Sequence, residues 1–157
     1  MTLYLLRHAE AEVLAASDRA RRLTAKGEEQ AERVGKFCRR HEIAPAIILT
    51  SPVTRARQTA EIAARQLGGV EKVEVPWAAC GMEPFAALKE LAAYDKFSSV
   101  LLVGHQPDLG ALASVLMGIP HLQSLRVRKA LLLGIEVARG PKAGEGVLQF
   151  FLPVKLM

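Results

Sequence analysis

Thr2-Leu3-Tyr4-Leu5-Leu6-Arg7-His8 is the stretch on which the reading of this chain turns. Thr2–Leu6 is almost wholly apolar, which predicts a short strand covered on both faces, as in a parallel sheet between layers of helices. An arginine and a histidine stand where it runs out. Two more strand-like runs end in a similar way. Ile47-Ile48-Leu49 is followed by Thr50-Ser51-Pro52-Val53-Thr54-Arg55, and Val100-Leu101-Leu102-Val103 by Gly104-His105. Ligands of open parallel sheets bind beyond the carboxyl ends of the strands. Three such ends would bring Arg7, His8, Arg55 and His105 onto one anionic ligand, the equipment for phosphoryl transfer through a histidine nucleophile.

Outward from these runs, helices alternate with strands. Thr24 is placed to cap a helix whose buried stripe is Gly27, Ala31, Val34 and Cys38, with Glu29–Arg33 and Glu32–Lys36 as exposed four-apart pairs. Ser51-Pro52 reads as a second helix start, with Arg55 in its first turn and Gly68-Gly69 as its stop. A short strand at Val73–Val75, a helix from Pro84 to about Tyr94, a buried strand at Ser99–Val103 and an apolar helix from Pro107 through Leu116 follow. Ala130–Val137 and Gly146–Leu152 read as a closing hairpin across the loop Gly140–Gly146. The expected architecture is a three-layer α/β/α sandwich around a mostly parallel, mixed sheet.

The bulk properties narrow the function classes. The 157 residues fit one domain spanning 1–157, with no linker or internal repeat to divide them. A net charge of +5 favours an acidic ligand by long-range attraction, although Lys and Arg are scattered along the sequence. Aromatics are only 5% of residues, too few for a stacking platform, so nucleic acid is not an expected partner. No leader is evident, and the longest uncharged run, Leu109–Pro120, is too short to cross a bilayer, so a cytoplasmic protein without a membrane partner is expected. Cys38 and Cys80 give neither a disulfide framework nor a zinc site. No His/Asp/Glu cluster has metal-ligand spacing, so the expected chemistry needs no metal and no cofactor.

The chemistry asks for definite residue types. A histidine attacks when it is neutral and its second ring nitrogen is held by a partner that fixes the tautomer. Arginine suits the phosphoryl oxygens because it is always charged and donates in a planar fork. Arg55 would add the positive end of its helix. His105 is expected as a charged donor, and Gly104 allows close backbone approach. The backbone amide of Gln106 could also face the phosphate, while the side chains of Gln106 and Asp108 are read as part of the cap of the following helix. A cysteine phosphatase fails on spacing, because the residues six after Cys38 and Cys80 are Ala44 and Ala86, not arginine. No phosphate-binding Gly-x-x-x-x-Gly-Lys-Ser/Thr loop is present.

Leu5–Glu10 resembles the Arg-His motif of the histidine phosphatase superfamily, Ser51–Ala60 its arginine-bearing motif, and Val103-Gly104-His105 its histidine-bearing motif. Ala15–Asp18 leading into Arg22–Gly27, together with Cys80-Gly81, is similar to the SixA branch of phosphohistidine phosphatases. The resemblance covers nearly the whole chain. It implies that His8 becomes phosphorylated and that Arg7, Arg55 and His105, with Ser51 nearby, complete the phosphate pocket. The branch also has an arginine near the phosphate. By position this is Arg21, but Arg22 stands where the branch has proline, so both are candidates. The superfamily's carboxylic acid after the third strand is absent in this branch. Glu83 is the only nearby carboxylate, and it reads first as a helix-start residue and second as a possible acid. The implied substrate is phosphohistidine on a signalling or phosphotransfer protein, with inorganic phosphate released. A phosphatase acting on small phosphate esters or phosphopeptides is the alternative, and a non-catalytic phosphate-binding module ranks below it.

Overall fold

The computed structural model describes residues 1–157. In chain order the elements are β1 (Thr2–Arg7), α1 (Ala25–Arg40), β2 (Ile47–Thr50), α2 (Thr54–Gln66), β3 (Lys72–Glu74), α3 (Pro84–Ala92), β4 (Ser99–Gly104), α4 (Asp108–Met117), β5 (Leu132–Glu136) and β6 (Val147–Leu152). They build one six-stranded sheet in the order β3-β2-β4-β1-β5-β6. The first four strands in that order are mutually parallel, while β5 and β6 close one edge as antiparallel neighbours. The mixed, mostly parallel sheet read from the sequence is the one the chain forms.

The apolar runs become strands because both of their faces are covered. Leu3, Leu5, Ile47, Leu49, Val100 and Leu102 pack on one side, against Leu88 and Leu91 of α3 and Leu109, Leu112 and Leu116 of α4. Leu6, Ile48, Leu101 and Val103 point the other way, onto Ala31, Val34 and Cys38 of α1 and Ala56 and Ala60 of α2. A leucine so buried contributes about 1.5–3 kcal/mol by removal from water. The period of two along each strand thus fills two cores at once. Cys38 is one of these core residues, and burial pushes its thiol pKa up to about 12.

This topology sets up the site. Strands β1 and β2 feed helices on one face of the sheet, whereas the intervening β4 feeds α4 on the other. The chain therefore diverges at the carboxyl ends of three adjacent strands, where open α/β sheets leave a crevice. Register keeps those ends level: Arg7 lies opposite Gly104, and Thr50 opposite Val103.

Helix α1 starts as read, with Thr24 Oγ1 accepting from the Gly27 amide at 3.1 Å. Helix α2 does not. It begins at Thr54 and not at Pro52, and its capping position, Val53, offers no side-chain acceptor. The Ser51 hydroxyl accepts from the Val53 amide at 3.2 Å, holding the turn that leads out of β2. The expected cap of α4 is also corrected. The Asp108 carboxylate accepts from the Gly81 amide at 2.9 Å. The Gln106 side chain donates to Leu125 O at 3.1 Å and accepts from Val127 N at 3.3 Å. Both side chains reach across to other loops instead of capping the helix beside them.

Gly27 sits where α1 crosses the chain just after β1, and a Cβ there would overlap the carbonyl group of Glu10. Backbone cannot yield as a flexible side chain does. Gly27→Ala is therefore expected to cost about 1–3 kcal/mol, as overpacking does. Thermal denaturation should show a Tm lower by several degrees. An unchanged Tm would mean that α1 is not seated against this segment.

Candidate active site

His8 follows directly on β1, with its amide donating to Gly104 O at 3.0 Å, and its side chain is buried. Its Nδ1 lies 2.8 Å from the carbonyl oxygen of Ala9. A carbonyl can only accept, so Nδ1 carries the proton and Nε2 keeps its lone pair. Arg55 Nε donates to that lone pair at 3.2 Å. Burial, chiefly, and then the neighbouring His105, Arg55 and Arg7 push the His8 pKa down to about 3, against the opposing pull of the Ala9 carbonyl. At neutral pH His8 is therefore an uncharged imidazole of one tautomer, the form suited to attack phosphorus.

Arg55, the second residue of α2, is buried beside it. Its Nη1 donates to Asp18 O at 2.7 Å, and its Nη2 reaches Asp18 Oδ2 at 3.1 Å and Cys80 Sγ at 3.5 Å. One helical turn on, Thr59 Oγ1 donates to Arg55 O at 2.7 Å and accepts from Ala9 N at 3.0 Å. That bridge pins the segment after His8 to α2. It explains how two strand ends are held in a fixed relation.

His105 follows β4, with its ring centroid 5.3 Å from that of His8. Its Nε2 is 2.8 Å from Ser51 Oγ, and its Nδ1 is buried without a protein partner. Burial first, then Arg55 and Arg7, push its pKa down to about 4, with Asp18 opposing. The charge expected on His105 is thus not present at neutral pH in this structure. In the tautomer in which Ser51 Oγ–H donates to Nε2, the imidazole proton resides on Nδ1, from which a neutral His105 can still donate to a phosphoryl oxygen. A dianion bound there would raise its pKa by opposite-charge attraction.

Arg7, the last residue of β1, donates from Nη1 to Val127 O at 3.0 Å, while its Nε is buried and unpaired. Burial and then Arg55 lower its pKa. Of the two candidate arginines, the fold turns Arg21 toward this group and Arg22 away. Arg21 Nη1 binds Asp18 Oδ1 at 2.8 Å, and its Nε donates to Glu12 O. The Arg22 side chain is exposed, and its main chain pairs with Glu12. Glu83 caps α3, with its carboxylate accepting from the Phe85 and Ala86 amides at 3.1 and 2.6 Å. The amide of Gln106 has no protein acceptor, in keeping with an oxygen-binding role for the backbone there.

The residue that reading the sequence did not single out is Asp18. It sits in a short 3-10 turn, Asp18–Ala20, and its carboxylate bridges Arg21 and Arg55. Hydrogen bonds from Arg21 and then Arg55 hold its pKa below the ordinary aspartate value. Cys80 and Thr59 were likewise not expected at the site, although Thr59 lies one turn after Arg55, a spacing that could have suggested it.

The buried neutral histidines make a stability prediction. Both folded-state values lie below the ordinary 6.5, so below that pH the unfolded chain binds more protons than the folded one. Stability should fall as pH drops from about 6.5 toward 4. Thermal unfolding at pH 7 and pH 4.5 checks this, and a His8→Ala/His105→Ala double variant should show a flatter dependence. An equally steep loss in that variant would place the proton uptake elsewhere.

Residues 3–76 match the family model of the histidine phosphatase superfamily (branch 1). A phosphohistidine phosphatase SixA homolog of Haemophilus influenzae is 34% identical over 131 residues, covering 75% of this chain and 78% of the relative. The chain belongs to the histidine phosphatase superfamily. Its fold agrees throughout with SixA structures. The protein histidine phosphatase SixA complexed with tungstate superposes with a TM-score of 0.89 at 22% identity, over 99% of both chains. A structure assigned as phosphohistidine phosphatase SixA of Agrobacterium tumefaciens gives 0.83 at 27% identity, over 97% of both. This is a histidine-type phosphatase of the SixA branch. No helix is long and apolar enough to cross a membrane, and no three His, Cys, Asp or Glu side chains converge as metal ligands.

Proposed function

We propose that the protein removes the phosphoryl group from phosphohistidine on a signalling or phosphotransfer protein, through a covalent phosphohistidine on His8. The observation that carries this reading is the His8 imidazole, with Nδ1 tied to Ala9 O and Nε2 turned to the Arg55 guanidinium. Nε2 attacks phosphorus, the substrate nitrogen departs with the bonding pair, and the phosphoryl group rests on His8 until water displaces it as inorganic phosphate. Arg7, Arg55, Arg21 and His105 Nδ1 are the donors for the phosphoryl oxygens. Ser51 orients His105, and the Gln106 amide adds a neutral donor.

Phosphohistidine is favoured over an ester by the carboxylates. Glu83 is committed to its helix cap, and Asp18 is held ionised by two arginines, so neither is set to deliver a proton to an alkoxide. A departing imidazole can carry its own proton. A small-ester phosphatase would call on an acid that neither Glu83 nor Asp18 is set to provide. Two cysteines not bonded to each other suit a cytoplasmic setting.

EDTA-treated protein is expected to release phosphate from a histidine-phosphorylated peptide at an undiminished rate, with tungstate or orthovanadate competing against substrate. Activity lost to chelation and restored by a divalent metal would overturn the reading.

A further inference from the structure

Two loops flank the pocket, and folding gathers on them cations that are separated in sequence. One is the segment after β1, closed by the antiparallel bridge between Ala11 and Leu23, which brings Asp18 and Arg21 to Arg55 and leaves Arg19 and Arg22 exposed. The other leads into β5. Its Val127 carbonyl holds Arg7, and its Ala130 amide donates to Arg7 O at 3.1 Å, which places the exposed side chains of Arg126, Arg128 and Lys129 beside the His8 strand end. From Ile119 to Leu131 there is no Asp or Glu.

None of Arg19, Arg22, Arg126, Arg128 and Lys129 forms an ion pair. The acids on these loops are occupied: Asp18 by Arg21 and Arg55, Glu12 by the Arg22 amide, and Glu10 by Lys26. On α1, Arg33 is matched by Glu29 and Lys36 by Glu32, while Arg39 and Arg40 at its end form no ion pair but lie far along the helix from the pocket-flanking loops. The same first loop carries Val13 and Leu14, 86% and 87% exposed, an apolar step beside the cations that a single phosphate would never reach.

We infer that these two loops form a cationic rim that docks an acidic protein surface surrounding the phosphohistidine. The inference rests on the proposed substrate class and extends it to what lies around the phosphoryl group. Carboxylates of the partner would face Arg19 and Arg22 on one side and Arg126, Arg128 and Lys129 on the other. Rim charges of this kind act mainly by steering encounter, so their effect weakens with salt.

The test uses two peptides phosphorylated on one histidine, flanked in one case by Asp and Glu and in the other by Ser and Gly, with the phosphoramidate ion as a third substrate. The wild-type protein should prefer the acidic peptide in kcat/KM by about tenfold or more at low ionic strength. The preference should shrink as salt is added and be largely lost in an Arg19→Ser/Arg126→Ser/Arg128→Ser variant, which keeps only Arg22 and Lys129 of the five. Phosphoramidate hydrolysis should be unchanged in that variant, which also shows that the fold and pocket are intact. Equal rates on the two peptides, or a variant that retains the preference, overturns the rim. A variant that loses all three substrates alike overturns it too, because these loops would then act through the pocket. Failure of the substrate reading looks different: neither phosphopeptide is cleaved while phosphate esters are.

Discussion

His8→Ala is expected to lower phosphohistidine hydrolysis by about a thousandfold or more, as removal of a covalent nucleophile does. The other pocket groups can bind a phosphoryl group but cannot replace the bond that Nε2 forms. Arg55, released from Nε2, would still be held by Asp18 through Nη1 and Nη2, so the binding fork should persist. Tungstate affinity is therefore expected to fall far less than turnover. The fold should survive because the His8 main chain, not its ring, bonds Gly104. Circular dichroism and a cooperative thermal transition check this. Near-normal turnover by a folded His8→Ala protein would remove His8 from the nucleophile's role.

The second large effect concerns the leaving group. General acid catalysis commonly contributes about a hundred- to ten-thousandfold. With Asp18 ionised and Glu83 bound to its helix, alkyl phosphates should be cleaved slower than phosphohistidine by a factor in that range. Aryl phosphates, which have better leaving groups, should fall between them. Glu83→Gln should leave the phosphohistidine rate nearly unchanged and cost a little stability, since a neutral amide caps α3 less well than a carboxylate. Rapid cleavage of a sugar phosphate or phosphoserine, abolished by Glu83→Gln, would identify Glu83 as the acid and the protein as a small-ester phosphatase.

The central strands were legible because a strand buried on both faces has to be apolar, and these runs are. The groups at their ends were legible for a related reason: Arg7, His8 and His105 stand directly where apolar runs stop, and Arg55 in the helix start that follows another such run, where a parallel sheet places its ligands. What escaped reading depends on contacts distant in sequence. Asp18 looks like any solvated loop acid until Arg55, from another element, donates to it. Arg21 and Arg22 are adjacent, and no local rule says which one turns inward; the Ala11–Leu23 bridge decides it. Ser51 carried the composition of a helix cap but is used in the turn before the helix and against His105. His105 was expected to be charged because its sequence neighbours say nothing of the burial that lowers its pKa. The scattered cations of residues 19–22 and 126–129 become one rim only after β1 and β5 pair.

The most direct test of the account is to trap the phosphoryl enzyme. A single turnover with a histidine-phosphorylated peptide, quenched in alkali where phosphohistidine survives, can be digested and the modified residue located by mass spectrometry. Phosphorus NMR of the quenched protein then distinguishes the two ring nitrogens. The Nδ1 hydrogen bond to Ala9 O leaves only one of them free to attack. The predicted result is phosphate on Nε2 of His8, formed and lost at rates consistent with turnover. Phosphate on His105, on Nδ1 of His8 or on any other side chain, or product released with no phosphoryl enzyme formed, would contradict it.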